Sequence, residues 1–153
     1  MDAFTLIEQD HERFRKLFKD YEAKGDRAYK GKLEIAQTIY KELAIHETME
    51  EEIFYPAIRE HADKEGVDLV LEGFQEHHVA DLIVDELREL DIEDETYDAK
   101  FKVLQENTEH HLDEEEEELF PKAKKALGDR AVEIGEQMAA LKEKLLAEGA
   151  PDR

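Results

Sequence analysis

The eleven residues 46–56, HETMEEEIFYP, recur at 111–121 as HLDEEEEELFP. The shared pattern is H-x-x-x-E-E-x-x-[FL]-[YF]-P, and one constant offset of 65 relates His46 to His111, Glu50 to Glu115 and Pro56 to Pro121. A His followed four residues later by Glu places both side chains on one face of an α-helix, a turn apart. Each stretch therefore reads as a helix that offers an imidazole and a carboxylate to a common centre. An upstream His lies at a near-matching distance, His11 being 35 residues before His46 and His77 34 before His111. The chain reads as two copies of one helical hairpin.

Working outward, apolar residues recur at helical spacing on both sides of these stretches. Phe4, Ile7, Phe14, Leu17, Phe18 and Tyr21 predict a first helix to about Lys24, opened by a Thr5–Glu8 capping box. Gly25 and Gly31 bracket a polar turn, after which Leu33, Ile35, Ile39, Leu43 and Ile53 mark a second helix. It should bend at Pro56 rather than end there. Beyond Gly66, Val70, Phe74, Ile83, Leu87 and Leu90 predict a third helix over about 68–91. Phe101, Leu104, Leu119 and Phe120 lie on a fourth that meets Pro121 and ends near Gly128. Val132, Met138, Leu141, Leu145 and Leu146 suggest a short fifth helix over about 129–148. With only 7 Gly and 3 Pro in 153 residues, the chain reads as all-α. We expect one domain over 1–153, an up-down-up-down four-helix bundle with its core at about 5–127 and a short C-terminal helix.

Helical phase separates the members of the two His doublets. His77 shares a face with Ala80, Val84 and Leu87, as His11 does with Phe14, Phe18 and Tyr21, whereas His78 falls with Asp81, Asp85 and Arg88. His111 lies seven residues after Leu104 and eight before Leu119, whereas His110 aligns with Asn107, Glu114 and Glu117. His77 and His111 therefore point inward, and His61, His78 and His110 outward. The predicted metal ligands are His11, His46, Glu50, His77, His111 and Glu115. Six such ligands are too many for one tetrahedral zinc, and carboxylates that can bridge make two metal ions the natural reading.

A single His on an apolar face is usually a satisfied core residue. Four in register are different, because burying them with two carboxylates and no metal would cost on the order of kcal/mol per unpaired group. Glu116, Glu117 and Glu118 read as a solvated charged face. Tyr40 and Tyr55, within about two turns of the His46–Glu50 pair, read as core or rim packing, with a hydrogen-bonding or redox role at the metals as the alternative. Glu47 adds a carboxylate beside His46, about one residue out of phase with that pair.

Taken in order, His11, then His46 with Glu50, then His77, then His111 with Glu115 resemble the HHE cation-binding branch of the hemerythrin family. The resemblance covers roughly residues 5–125 and leaves the C-terminal helix outside. It implies a non-haem diiron centre with oxo, hydroxo or carboxylate bridges and an open iron position that meets O2, hydrogen peroxide or nitric oxide. Ligand types alone admit manganese as well. Invertebrate oxygen carriers of that family have a second His one turn after the third-helix His, where this chain has Asp81. That difference favours the ferric state and an exogenous ligand, hence redox chemistry or sensing over reversible O2 carriage. A catalase- or peroxidase-like enzyme and an iron-dependent sensor or storage module are the alternatives, and a metal-free interaction bundle is a third. The ferritin-like pattern needs Glu-x-x-His on two helices; only Glu8 to His11 supplies it.

A net charge of -21, from 42 acidic and 21 basic residues, would repel a phosphate backbone or an anionic leaflet, so neither nucleic acid nor membrane is an expected partner. Without cysteine there is no thiolate ligand and no disulfide. With neither a signal-peptide pattern nor a run of about 18 apolar residues, the expected location is cytoplasmic.

Overall fold

Asp2, rather than Thr5, opens the first helix of the computed structural model, which describes residues 1–153. Its carboxylate accepts the Thr5 amide at 2.8 Å, so α1 (Ala3–Glu22) begins ahead of the expected capping box. The second rod is α2 (Tyr29–Met49), a five-residue π turn (Glu50–Phe54) and α3 (Tyr55–His61). Gly31 lies inside α2 rather than in the preceding turn. α4 (Lys64–Glu89) starts earlier than expected because Asp63 accepts the Gly66 amide at 2.8 Å and draws that glycine into the helix. The fourth rod repeats the second: α5 (Tyr97–Glu114), a π turn (Glu115–Leu119) and α6 (Phe120–Leu127). Gly128, at φ 51°, closes α6 in a conformation open to glycine. A 3-10 turn then leads into α7 (Ala131–Glu148).

The prolines explain the π turns. Pro56 has no N–H for the carbonyl four residues earlier, and its ring would collide with that carbonyl in a regular helix. Widening the preceding turn by one residue avoids both problems. Tyr55 N–H donates to the Glu50 carbonyl, five residues back, and Phe120 N–H donates to Glu115 in the same way. The rods thus continue past their prolines, as the sequence suggested, with the side-chain phase advanced by one position.

The four rods form an up-down-up-down bundle, and α7 lies across α1 and α2. The apolar core is in two parts. One holds Ile7, Met49, Phe54, Val70, Leu119 and Met138; the other holds Phe14, Leu43, Ala80, Leu87, Leu104 and Leu112. Along every rod the inward His falls between the two parts: His11 between Ile7 and Phe14, His46 between Leu43 and Met49, His77 between Val70 and Ala80, His111 between Leu104 and Leu119. A polar layer is thereby enclosed by hydrocarbon at both ends, each buried side chain contributing about 1.5–3 kcal/mol. No helix is long and apolar enough to cross a membrane.

Candidate metal centre

All six side chains singled out in the sequence meet in that layer, and all are buried. Ligand-type atoms of His11, His46, Glu50 and Glu115 lie within 4.8 Å of one another, as do those of Glu50, His77 and His111. Glu50 belongs to both groups: its Oε1 is 3.4 Å from His46 Nε2 and 3.0 Å from His77 Nε2. Glu115 spans the same two groups with separate oxygens, Oε1 being 3.2 Å from His11 Nε2 and Oε2 3.1 Å from His111 Nε2. Two pairs of imidazoles therefore face each other across two shared carboxylates.

The outer nitrogen of every imidazole meets a carboxylate. His11 Nδ1 pairs with Glu116 at 2.6 Å, His46 with Asp10 at 2.8 Å, His77 with Glu51 at 2.7 Å and His111 with Glu76 at 2.8 Å. An ionised carboxylate only accepts, so Nδ1 must carry a hydrogen, which leaves the inward Nε2 as the nitrogen that can release its proton and bind a metal. The acceptors obey the internal repeat. Asp10 and Glu76 immediately precede His11 and His77; Glu51 and Glu116 immediately follow Glu50 and Glu115. Glu116 is thus no part of a solvated face: its place in the repeat turns it, half-buried, onto His11. The signal was present in the second glutamate of the repeated pattern and in the acidic residue before each upstream His.

Tyr55 also belongs to the centre, against the packing role expected from its sequence position. Its hydroxyl donates to Glu115 Oε2 at 2.7 Å and lies 3.3 Å from Glu50 Oε1 and from His111 Nε2. In an unbroken α-helix the position over Glu50 would be residue 54; the π turn advances it to 55. Room for the phenol comes from Gly73, where a Cβ would stand 2.8 Å from Tyr55 Oη. The repeat partner of Tyr55 is Phe120. Tyr55 stacks on His77 with ring centroids 5.5 Å apart, and Phe120 on His11 at 6.4 Å, so only one half of the centre receives a hydroxyl. Tyr40 instead pairs with Tyr97 in the apolar core, at 2.6 Å between hydroxyls.

The residues fit bound cations. His11 Nε2, His46 Nε2, Glu50 Oε2 and Glu115 Oε1 are buried with no hydrogen-bond partner, a cost of about 1–3 kcal/mol each that coordination would remove. The surrounding charges act in the same direction. Burial pulls the His77 imidazole down, but the Glu50 and Glu51 carboxylates outweigh it and raise it to about 9. Burial pushes the Glu50 carboxyl up, yet the facing imidazoles hold it well below the carboxylate range. Such a pocket demands positive charge.

A family model described as the Hemerythrin HHE cation binding domain matches residues 2–123. The chain belongs to this family. Among solved structures, that of a Hemerythrin HHE cation binding domain-containing protein from Mycobacterium kansasii superposes with a TM-score of 0.83 at 21% identity, covering 97% of this chain and 89% of that one. No curated protein matches. In this hemerythrin HHE domain Asp81 pairs with Arg153, at 3.3 Å, and stands outside the clusters of ligand-type atoms. Glu47 is buried beside the centre, one oxygen 4.0 Å from His77 Nδ1. Burial raises its carboxyl to about 8.

Proposed function

We propose that this protein is a non-haem diiron protein that binds O2, peroxide or nitric oxide at the metal centre, for oxidant defence or sensing. The observation that carries the reading is that Glu50 lies within reach of both pairs of inward-facing imidazole nitrogens and that Glu115 meets one imidazole of each pair, His11 and His111. His11 and His46 would hold one iron and His77 and His111 the other, with the two glutamates serving both. Bound iron would supply Lewis acidity and electrons to a small oxidant ligand.

The other groups supply the setting. The four outer carboxylates fix each imidazole in one tautomer and rotation. Asp81, paired with Arg153, contributes no imidazole where the oxygen carriers have one, which would leave bound metal able to take an exogenous ligand. Tyr55 offers its hydroxyl as a hydrogen-bond donor on the His77–His111 side. The apolar layers exclude bulk water from the centre, and with α7 packed on α1 and α2 the whole of 1–153 acts as one domain.

The decisive experiment is metal content with an absorption spectrum on protein purified without chelator, beside His111→Ala. About two irons per chain with near-ultraviolet charge-transfer bands, both lost in the variant, is the expected result. Added nitric oxide should then perturb the spectrum of the reduced protein. A wild type that binds no metal, and a variant equally stable, would sink the reading.

A further inference from the structure

Three of the four carboxylates that orient an imidazole are themselves met by a cation. Glu116, on His11, takes Arg15 at 2.9 Å. Asp10, on His46, takes Lys142 at 2.6 Å through the oxygen that His46 does not use. Glu51, on His77, takes the Arg153 guanidinium. Glu76, on His111, has only His110 at 3.7 Å.

The internal repeat shows why Arg153 is needed. Arg15 lies one turn after His11 and reaches the carboxylate on that imidazole. One turn after His77 the corresponding residue is Asp81, which carries the opposite charge and cannot serve Glu51. Arg153 occupies the vacant role from elsewhere in the chain: Asp81 holds it at 3.3 Å, Thr48 Oγ1 accepts from it at 3.1 Å, and its side chain is only 15% exposed. Asp81 thus converts from an unsuitable partner into the anchor for one. Lys142 has no counterpart in the second repeat. Both cations lie beyond residue 123, where the family match ends.

We propose that Arg153 and Lys142 are positioning residues of the metal centre, fixing Glu51 and Asp10 on His77 and His46 and setting the electrostatic potential felt by the two bound ions. The inference rests on the metal-binding reading above. The sign follows from Coulomb's law: a positive charge beside a carboxylate–imidazole pair weakens the push of electrons toward the metal and disfavours its more highly charged, oxidised state. Removing either cation should therefore lower the midpoint potential.

The test is a redox titration of iron-loaded protein, followed by its charge-transfer absorption, for wild type, Arg153→Gln, Lys142→Gln and the charge-preserving Arg153→Lys and Lys142→Arg. Lys144→Gln, exposed on the same helix, is the control for charge alone. At a fixed potential each Gln variant should show roughly a three- to ten-fold higher oxidised-to-reduced ratio, tenfold being about 59 mV per electron, and the charge-preserving variants should return to wild type. Should a Gln variant lose iron instead, restoration of iron by its charge-preserving partner and retention in Lys144→Gln support the same role. Potentials of both Gln variants that coincide with Lys144→Gln, at full iron content, overturn this inference and leave the metal reading standing. A wild type without metal overturns both.

Discussion

Tyr55 and Gly73 show how one hydroxyl is built into the centre and what its removal should do. The hydroxyl supplies a hydrogen to Glu115 Oε2 in an environment that water does not reach. Tyr55→Phe keeps the ring and its stacking on His77, so the fold should persist. The metal-free variant should nevertheless lose about 1–3 kcal/mol, read from urea denaturation, because a buried carboxylate oxygen loses its donor. Gly73→Ala should cost a similar about 1–3 kcal/mol by overpacking, since a Cβ would approach the hydroxyl oxygen at 2.8 Å and the ring carbon beneath it at 3.0 Å. Both substitutions act through that hydroxyl, so the double variant should be clearly less destabilised than the sum of the singles. Strict additivity would show that the phenol does not depend on Gly73 for its place.

Among the elements, the two π turns and α7 carry information that helical periodicity lacks. Proline forces each rod to widen, and the widened turn aims Tyr55 and Phe120 at the polar layer. α7 is attached through a close backbone approach at Gly135, where a Cβ would meet the Met1 carbonyl oxygen at 2.4 Å and Ala3 N at 2.6 Å. Backbone on the opposing side cannot rotate away, so Gly135→Ala should displace α7 from the start of α1. Hydrogen exchange should report this as lost protection across 131–148, while the amides of α4 and α5 change little. Because Lys142 rides on α7, the same variant should also loosen Asp10 from its cation. Unchanged protection in α7 would refute the close approach.

For the whole molecule, the charges of the centre give the metal-free and metal-loaded forms different responses to pH. Imidazoles raised in the folded chain stabilise it fully below their ordinary value of 6.5, and this stability is lost as pH rises through about 9, where His77 gives up its proton. The depressed Glu50 contributes above the ordinary 4.5 and loses its contribution as pH falls. Glu47, raised to about 8, costs stability progressively as pH rises from its ordinary 4.5 to about 8, because the unfolded chain gives up that proton first. Metal-free protein should therefore be most stable in the lower part of the range between about pH 4.5 and 6.5 and decline most steeply between about pH 6.5 and 9. Metal must displace the imidazole protons, so its added stabilisation should grow over that same alkaline range. Melting curves with and without iron across pH 5–9 test both slopes together, and parallel curves would contradict the assignment of the imidazoles to metal.

The bundle and the six inward side chains were legible in the sequence because both depend on local periodicity. A His–Glu pair at i and i+4 shares a helix face whatever surrounds it, and a 65-residue repeat signals that two such faces are used together. The glutamate after each ligand glutamate was equally visible in the repeat, but its contact was not: Glu116 meets His11 only because α1 and the fourth rod pack side by side. Proximity along the helix left Tyr55 open to packing or to a donor role, and the π turn, which local periodicity does not show, decided for the donor. Arg153 and Lys142 lie far along the chain from Glu51 and Asp10, and no local rule connects them. Sequence by itself determined the helices, their inward faces and the residue types offered to metal, since these follow from backbone geometry and burial. Tertiary structure alone decided which carboxylate holds which imidazole, which half of the centre receives a hydroxyl and which charges stand behind it, because those contacts join rods whose relative placement is set by packing.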